Sequence, residues 1–449
     1  MTTNLYKKYL ACGGRVAIDT RLVQEGGIFV AVGQRDEKGR HRGNLWARKA
    51  VEELGAAYAV INDADLYASL SDDKRYILVE DGEAALQELA QMHRRTLNIP
   101  IIAIGGSNGK TTLKELLAAV LRRKYNIFAT EGNLNNHLGV PLTLLQLRQT
   151  HQLAIVEIGA NHLEETAFLA QLAEPNFGIV TNCGKDHLGE YGSFENVVRG
   201  NAELYDYLAA NNAAAFVCTD DPLLMDISNT VKTRHFYGSQ TNVAATVTNA
   251  PLLGVDLHIE EEKYTLQTQL FGAFWRDAVV AAAAIGLYFG VDNQDIVSAM
   301  ADYVPASLRS QQIVWRDTPA LLDCYNANPS SVAAFLEAVA ADTTSARKIV
   351  VLGEMLELGI YAQEEHILLI NQLAQLAEKQ ADFELFVLVG RTFAGLDLAA
   401  DLAAKVRRFE QADAAKHYLQ GLVIAPQSRI YAKGSRSNRL ESIFDLGQH

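Results

Sequence analysis

Apolar positions along this chain switch repeatedly between short continuous runs and helical spacing, the pattern of a layered α/β protein. In the first block, apolar stretches at 27–32, 58–61 and 76–80 predict strands, and 45–54 predicts a helix. In the second, 84–95 is helical by period and 100–104 is a β-branched strand broken by glycines. Leu113, Leu116, Leu117, Val120 and Leu121 then recur at helical spacing. Further buried-type strands at 153–158 and 177–181 predict a mostly parallel sheet. From about residue 309, strands at 320–324, 348–352, 385–389 and 429–432 alternate with helical segments, a Rossmann-like pattern. The expected organisation is three α/β domains, at 1–82, 83–308 and 309–449, which suits 449 residues at roughly 150 per domain.

The strand–glycine–helix junction carries the first chemistry. It reads Gly106-Ser107-Asn108-Gly109-Lys110-Thr111-Thr112. Glycines let backbone N–H groups line a concavity for phosphate oxygens, and the following helix aims its positive dipole end there. Lys110 would neutralise the β- and γ-phosphates of ATP, and Thr111 would ligate Mg²⁺. The string is shorter than the strict phosphate-loop pattern, because Ile104 stands where the first glycine should be. Two downstream strand ends fit the same site. Glu157 closes one and is placed as a Mg²⁺ ligand, and His187 follows the next with a metal or phosphate role.

Composition narrows the field. With 49% hydrophobic and 21% charged residues, the chain is of ordinary globular make-up. A net charge of −13 argues against nucleic-acid binding, which runs on Lys and Arg. Cys12, Cys183, Cys218 and Cys324 are scattered, which argues against a zinc ribbon and a disulfide framework and fits a reducing compartment. The first residues carry no apolar leader, and the longest apolar run, 278–291, is shorter than the roughly 18 residues a spanning helix needs. The expectation is a cytoplasmic protein with no membrane insertion.

Gly106–Thr112, Glu157-Ile-Gly-Ala-Asn161 and Thr181-Asn-Cys-Gly-Lys-Asp-His187 together resemble the Mur ligases of peptidoglycan synthesis. The strings Asp323-Cys-Tyr-Asn-Ala-Asn-Pro-Ser-Ser331 and Leu352-Gly-Glu-Met-Leu-Glu-Leu-Gly359 are similar to the branch that adds D-Ala-D-Ala to UDP-N-acetylmuramoyl-tripeptide. The resemblance implies a UDP-binding first domain, a central ATPase and a closing Rossmann-like third domain, working as a monomer. It implies an ATP- and Mg²⁺-dependent acid–D-amino-acid ligase acting through an acyl phosphate, with Lys110, Glu157 and His187 in catalytic roles. Thr111, Glu157 and His187 would hold Mg²⁺. Arg309 and Asp323 would reach ATP as the third domain closes. Thr20 and Arg21 would help bind the UDP end, Asn326, Asn328 and Arg436 would face the peptide substrates, and Asn133, Asn135 and Asn136 would also bind substrate.

The chain departs from that family at four places. Asn201 stands where a carbamoylated lysine is usual, so a second Mg²⁺ would be held more weakly. Trp275 and Ala278 replace two asparagines that approach adenine, Gly189 replaces a glutamate, and extra residues lie between Gly33 and Gly43. These motivate two alternatives: a ligase with a different acceptor, or a weak or inactive UDP-substrate-binding protein.

Overall fold

A computed structural model describes residues 2–70 and 73–446. The chain forms two compact units, 1–104 with 125–159 and 166–178, and 105–124 with 160–165 and 179–449.

The first unit opens with four parallel strands in the order β1 (Val16–Ala17), β2 (Ile28–Val30), β3 (Tyr58–Ile61) and β4 (Tyr76–Leu78). Phe29, Ala59, Ile61 and Tyr76 meet Ala47, Ala50 and Val51 of helix Ala47–Glu52 in a small core. The extra residues 33–43 make a tight loop closed by a bridge between Arg35 and His41. His41 is buried, its Nδ1 2.8 Å from Gly33 O and its Nε2 3.0 Å from Asp81 Oδ1. Asp81 also caps helix Gly82–Thr96 by accepting from the Glu83 and Ala84 N–H groups. Near the end of that helix, buried Arg94 donates to the carbonyls of Leu97, Ala173 and Glu174 and to Asn176 Oδ1. These acceptors satisfy much of the guanidinium's hydrogen-bonding capacity, as burial of a charge requires. Then come β5 (Ile101–Gly105), β6 (Ile127–Ala129) and β7 (Leu153–Glu157), parallel in the order β6-β7-β5. The residues of β5 and β7 are buried, which is why they read as unbroken apolar runs.

In the second unit, β8 (Phe177–Val180, which begins in the first), β9 (Ala214–Cys218) and β10 (Thr233–Tyr237) are adjacent in that order. An antiparallel sheet absent from the sequence reading follows: β11 (Val243–Asn249), β12 (Leu252–Ile259) and β13 (Glu262–Phe271). The last sheet runs β14 (Gln311–Trp315), β15 (Thr318–Asp323), β19 (Ser428–Lys433), β16 (Arg347–Gly353), β17 (Phe383–Val389), β18 (Val406–Phe409). All its pairings are parallel except β14 with β15. Helices Pro329–Ala341 and Ala362–Lys379 cover one face through Phe335, Leu336, Leu369 and Leu373, against Val350, Leu352, Phe386 and Tyr431. Helix Ala412–Gly421 covers the other, against Ile349, Val351, Val387 and Ile430. Successive strand residues thus face opposite layers, the doubly wound arrangement.

One buried acid ties a helix end to this sheet. Asp342 caps helix Pro329–Ala341 and accepts from Thr344 N at 2.7 Å, Thr344 Oγ1 at 2.6 Å, Arg429 Nη1 at 3.2 Å and the Tyr431 hydroxyl. Burial pushes its carboxyl up, but these donors outweigh burial and hold it below the ordinary carboxylate value. A depressed folded pKa means stability present above the unfolded value of about 3.9 and lost as pH falls through the folded value. Urea midpoints at pH 7 and pH 3 should therefore differ less in Asp342→Asn than in the parent chain. An equal acid loss in both would show that Asp342 contributes none of it.

Candidate active site

Helix Lys110–Leu121 begins at Gly109, whose φ of 83° is left-handed and which offers no side-chain cap. Its first N–H groups therefore face the loop, where an anion is favoured. Gly106 has φ of 118°, and a Cβ there would collide with the Thr181 hydroxyl. Glycine is required at this point because the next strand end crosses directly over it.

That strand end braces the loop. Ser107 N donates to Asn182 O at 2.9 Å, and Asn108 N to Asn182 Oδ1 at 3.1 Å. Thr181 Oγ1 and Asn182 Nδ2 donate to Asn108 O at 2.7 and 2.9 Å, and Ser107 Oγ to Gly184 O at 3.3 Å. Lys110 Nζ folds back onto the carbonyls of Gly106 and, at 3.1 Å, Ser107. Ser107, Thr111 and Thr112 are buried.

His187 sits at a left-handed turn with φ of 47°, where it starts the short helix Leu188–Tyr191. Its Nδ1 lies 2.8 Å from Glu357 Oε2, and its Nε2 3.7 Å from Asp186 Oδ1. Burial disfavours the imidazolium, but the Glu357 hydrogen bond and the Asp186 and Glu357 charges outweigh it and raise the pKa above the ordinary histidine value. Glu357 is held below the ordinary carboxylate value by the same contact. Burial pushes the Cys183 thiol up to about 12, so it stays protonated beside the phosphate loop.

Asn328 caps helix Pro329–Ala341, and its Nδ2 donates to Asn108 Oδ1 at 2.8 Å and Asp186 Oδ1 at 3.1 Å. Its amide therefore meets the phosphate loop itself. At neighbouring strand ends, Lys433 Nζ lies 2.7 Å from Asp323 Oδ2 and donates to Asn326 O at 3.1 Å. The Arg309 guanidinium lies 3.8 Å over the Tyr325 ring, and Arg436 N donates to Tyr325 O at 3.0 Å. Gly106–Thr112, Asp186, His187 and Asn328 thus form one connected cluster.

In the first unit, Glu157 is 1% exposed and accepts from Asn135 Nδ2 at 2.8 Å. Asn135 N donates to Asn133 O at 2.7 Å, and Asn136 Oδ1 accepts from the N–H groups of Leu138 and Gly139 just before helix Gly139–Leu145. Asn135 therefore orients the carboxylate, and Asn136 holds the turn that leads into the helix. Thr20 and Arg21 lie in a one-turn helix capped by Asp19, and the Arg21 side chain is 86% exposed and paired with Asp19.

Sequence reasoning missed Thr181, Asn182, Asp186 and Glu357 as parts of the site. All four lie in strings that carried the resemblance, yet their pairings join residues far apart in the chain. The structure also accounts for two departures. A Cβ on Gly189 would lie 2.8 Å from Gly359 N and 3.1 Å from Glu357 O, so this packing admits no side chain there. The Trp275 ring lies against Gly109, 3.2 Å from where a Cβ on that glycine would be, and Nε1 donates to Ser310 Oγ at 3.2 Å. Asn201 is buried in helix Phe194–Ala210, and its Nδ2 donates to Val197 O at 2.8 Å.

The Mur ligase middle domain matches residues 104–286, and the Mur ligase, glutamate ligase domain matches 309–436. A UDP-N-acetylmuramoyl-tripeptide–D-alanyl-D-alanine ligase of Bacillus subtilis (strain 168) is 30% identical over 353 residues, 78% of this chain and 75% of that protein. The enzyme of the same name from Synechocystis is 33% identical over 359 residues, 78% of this chain and 74% of that one. A crystal structure of MurF from Acinetobacter baumannii superposes with a TM-score of 0.81 at 28% identity, covering 96% of this chain and 92% of that one. By these matches, and by a phosphate loop braced as described, the chain belongs to the Mur ligase family.

Proposed function

We propose that this chain is an ATP-dependent ligase that adds D-Ala-D-Ala to UDP-N-acetylmuramoyl-tripeptide through an acyl phosphate, as a cytoplasmic monomer. The observation that carries this reading is the glycine-lined loop at Gly106–Lys110, locked by Thr181, Asn182 and Asn328 in front of a helix N-terminus whose Gly109 brings no side-chain cap. The names of the relatives at 30% and 33% identity support the choice of substrates.

In this reading the ATP phosphates displace the loop carbonyls from Lys110, and the ammonium offsets their charge as the substrate carboxylate attacks. The loop N–H groups, already oriented, stabilise charge without rearranging. Thr111, Glu157 and His187 are the residues that would hold Mg²⁺, through a hydroxyl, a carboxylate and an imidazole. Bound there, Mg²⁺ would supply charge neutralisation between the phosphates and the carboxylate. Glu357 and Asp186 set two carboxylates against the His187 ring, 2.8 and 3.7 Å from its nitrogens. Arg309 and Asp323 would meet the nucleotide. Thr20 and Arg21 would help bind the UDP end, and Asn326, Asn328 and Arg436 would face the peptide substrates.

Phosphate release from Mg-ATP tests the proposal. We expect release only when both UDP-N-acetylmuramoyl-tripeptide and D-Ala-D-Ala are present. Release with other dipeptides but not D-Ala-D-Ala would favour a different acceptor. No release from folded protein that still binds the UDP-substrate would favour the binding-protein reading suggested by Asn201.

A further inference from the structure

Trp275 stands at the start of helix Arg276–Tyr288, and the two ends of its indole touch different parts of the chain. The six-membered ring lies against Gly109, which opens the phosphate-binding helix Lys110–Leu121, 3.2 Å from where a Cβ on that glycine would be. The pyrrole N–H, at the other end, donates to Ser310 Oγ at 3.2 Å. Ser310 is 2% exposed and directly follows Arg309, whose guanidinium lies 3.8 Å over the Tyr325 ring just past β15.

A second tie meets the same stretch of chain from its other end. Tyr303 follows helix Asn293–Asp302, and its hydroxyl donates to Glu115 Oε2 at 2.6 Å. Glu115 stands on the phosphate-binding helix. Burial, then the Glu115 carboxylate, pushes the Tyr303 phenol pKa up, and the Arg309 charge pulls it down, so the guanidinium lies close to this tie. Residues 303–310 are therefore fastened at both ends to the helix whose first turn forms the phosphate site, and Arg309 lies between the fastenings. A buried indole needs a partner for its N–H, and any acceptor would serve that need. Here the acceptor is the neighbour of a cation, and the rest of the ring rests on the phosphate loop. A cation that meets a nucleotide must be set relative to the loop to within about 1 Å, because a misplacement of that size costs about a hundredfold in rate.

We propose that Trp275 is a positioning residue: it carries the placement of the phosphate loop to Ser310 and so holds Arg309 where a nucleotide seated on the loop meets it. This rests on the reading above that ATP occupies the loop and touches Arg309. Titration calorimetry of Mg-ATP on the full chain tests it without turnover. Trp275→Phe removes the donor and Ser310→Ala the acceptor, and each is checked for folding by thermal unfolding. Each should raise the Kd for Mg-ATP about fivefold, the size of one neutral hydrogen bond, and the double variant should be no worse than Trp275→Phe alone. In an Arg309→Ala background the same substitutions should change the Kd by less than about twofold, because the group they act through is gone. The Kd for UDP-N-acetylmuramoyl-tripeptide should stay within about twofold throughout, which a general loosening of the fold would not allow. An undiminished loss in the Arg309→Ala background would overturn the proposal, as would no loss from either single variant. Should the parent bind Mg-ATP with this pattern yet release no phosphate with both substrates present, the positioning role stands and the ligase reading falls. A parent chain that binds no Mg-ATP overturns both.

Discussion

Lys110→Ala is expected to lower kcat/KM by about a thousandfold or more, roughly 4 kcal/mol of transition-state stabilisation. Lys110 Nζ contacts the carbonyls of Gly106 and Ser107, groups that water can satisfy once the ammonium is gone. The fold should therefore survive, with a thermal midpoint within a few degrees of the parent. The comparison that decides the matter is phosphate release under saturating substrates, with binding of the UDP-substrate measured alongside. Retained turnover would move the phosphate-neutralising role to another cation. Lost turnover with lost UDP-substrate binding would show that the substitution damaged more than the phosphate site.

Gly106→Ala should do the opposite and act first on the fold. At φ of 118° an L-residue is strained, and the new methyl would meet both the Thr181 hydroxyl and, at 2.7 Å, the Thr181 N–H. Neither can retreat. Thr181 Oγ1 is held by Asn108 O, and Thr181 N donates to Gly105 O at 3.0 Å. A cost of about 3–5 kcal/mol is expected, from backbone strain plus the loss of bracing hydrogen bonds. Urea unfolding followed by circular dichroism reads it. A loss under about 1 kcal/mol would mean that the loop can open away from Thr181 without harm.

How much of this was legible beforehand depended on how local each signal was. The phosphate loop is contiguous, and its glycines, lysine and threonines announce a strand-to-helix turn within seven residues. Strands β15 to β17 and β19 were legible because burial on both faces gives unbroken apolar runs. The antiparallel β11–β13 sheet was not. Val243–Asn249 is largely polar and outward-facing beyond its first residues, so its apolar period is too weak to register. The partners of the site were hidden for a different reason. Asn328 and Asn108 are separated by 220 residues, a distance over which periodicity carries no information. Glu357 was visible as part of a motif, but its hold on His187 appears only once the chain is folded.

The segment between helix Asn293–Asp302 and β14 holds three non-glycine residues in the left-handed region: Ser307 at φ of 56°, Leu308 at 61° and Ser310 at 49°. Leu308 is anchored in the core beside Trp315 and Leu322, and Ser310 accepts from Trp275. Each such residue stores on the order of 1 kcal/mol or more that glycine would not. A glycine-rich joint would release that energy but would also gain many more unfolded conformations to lose. By using ordinary residues under tension, the chain gives this elbow a preset angle, and any change of that angle would draw on energy already stored in its backbone.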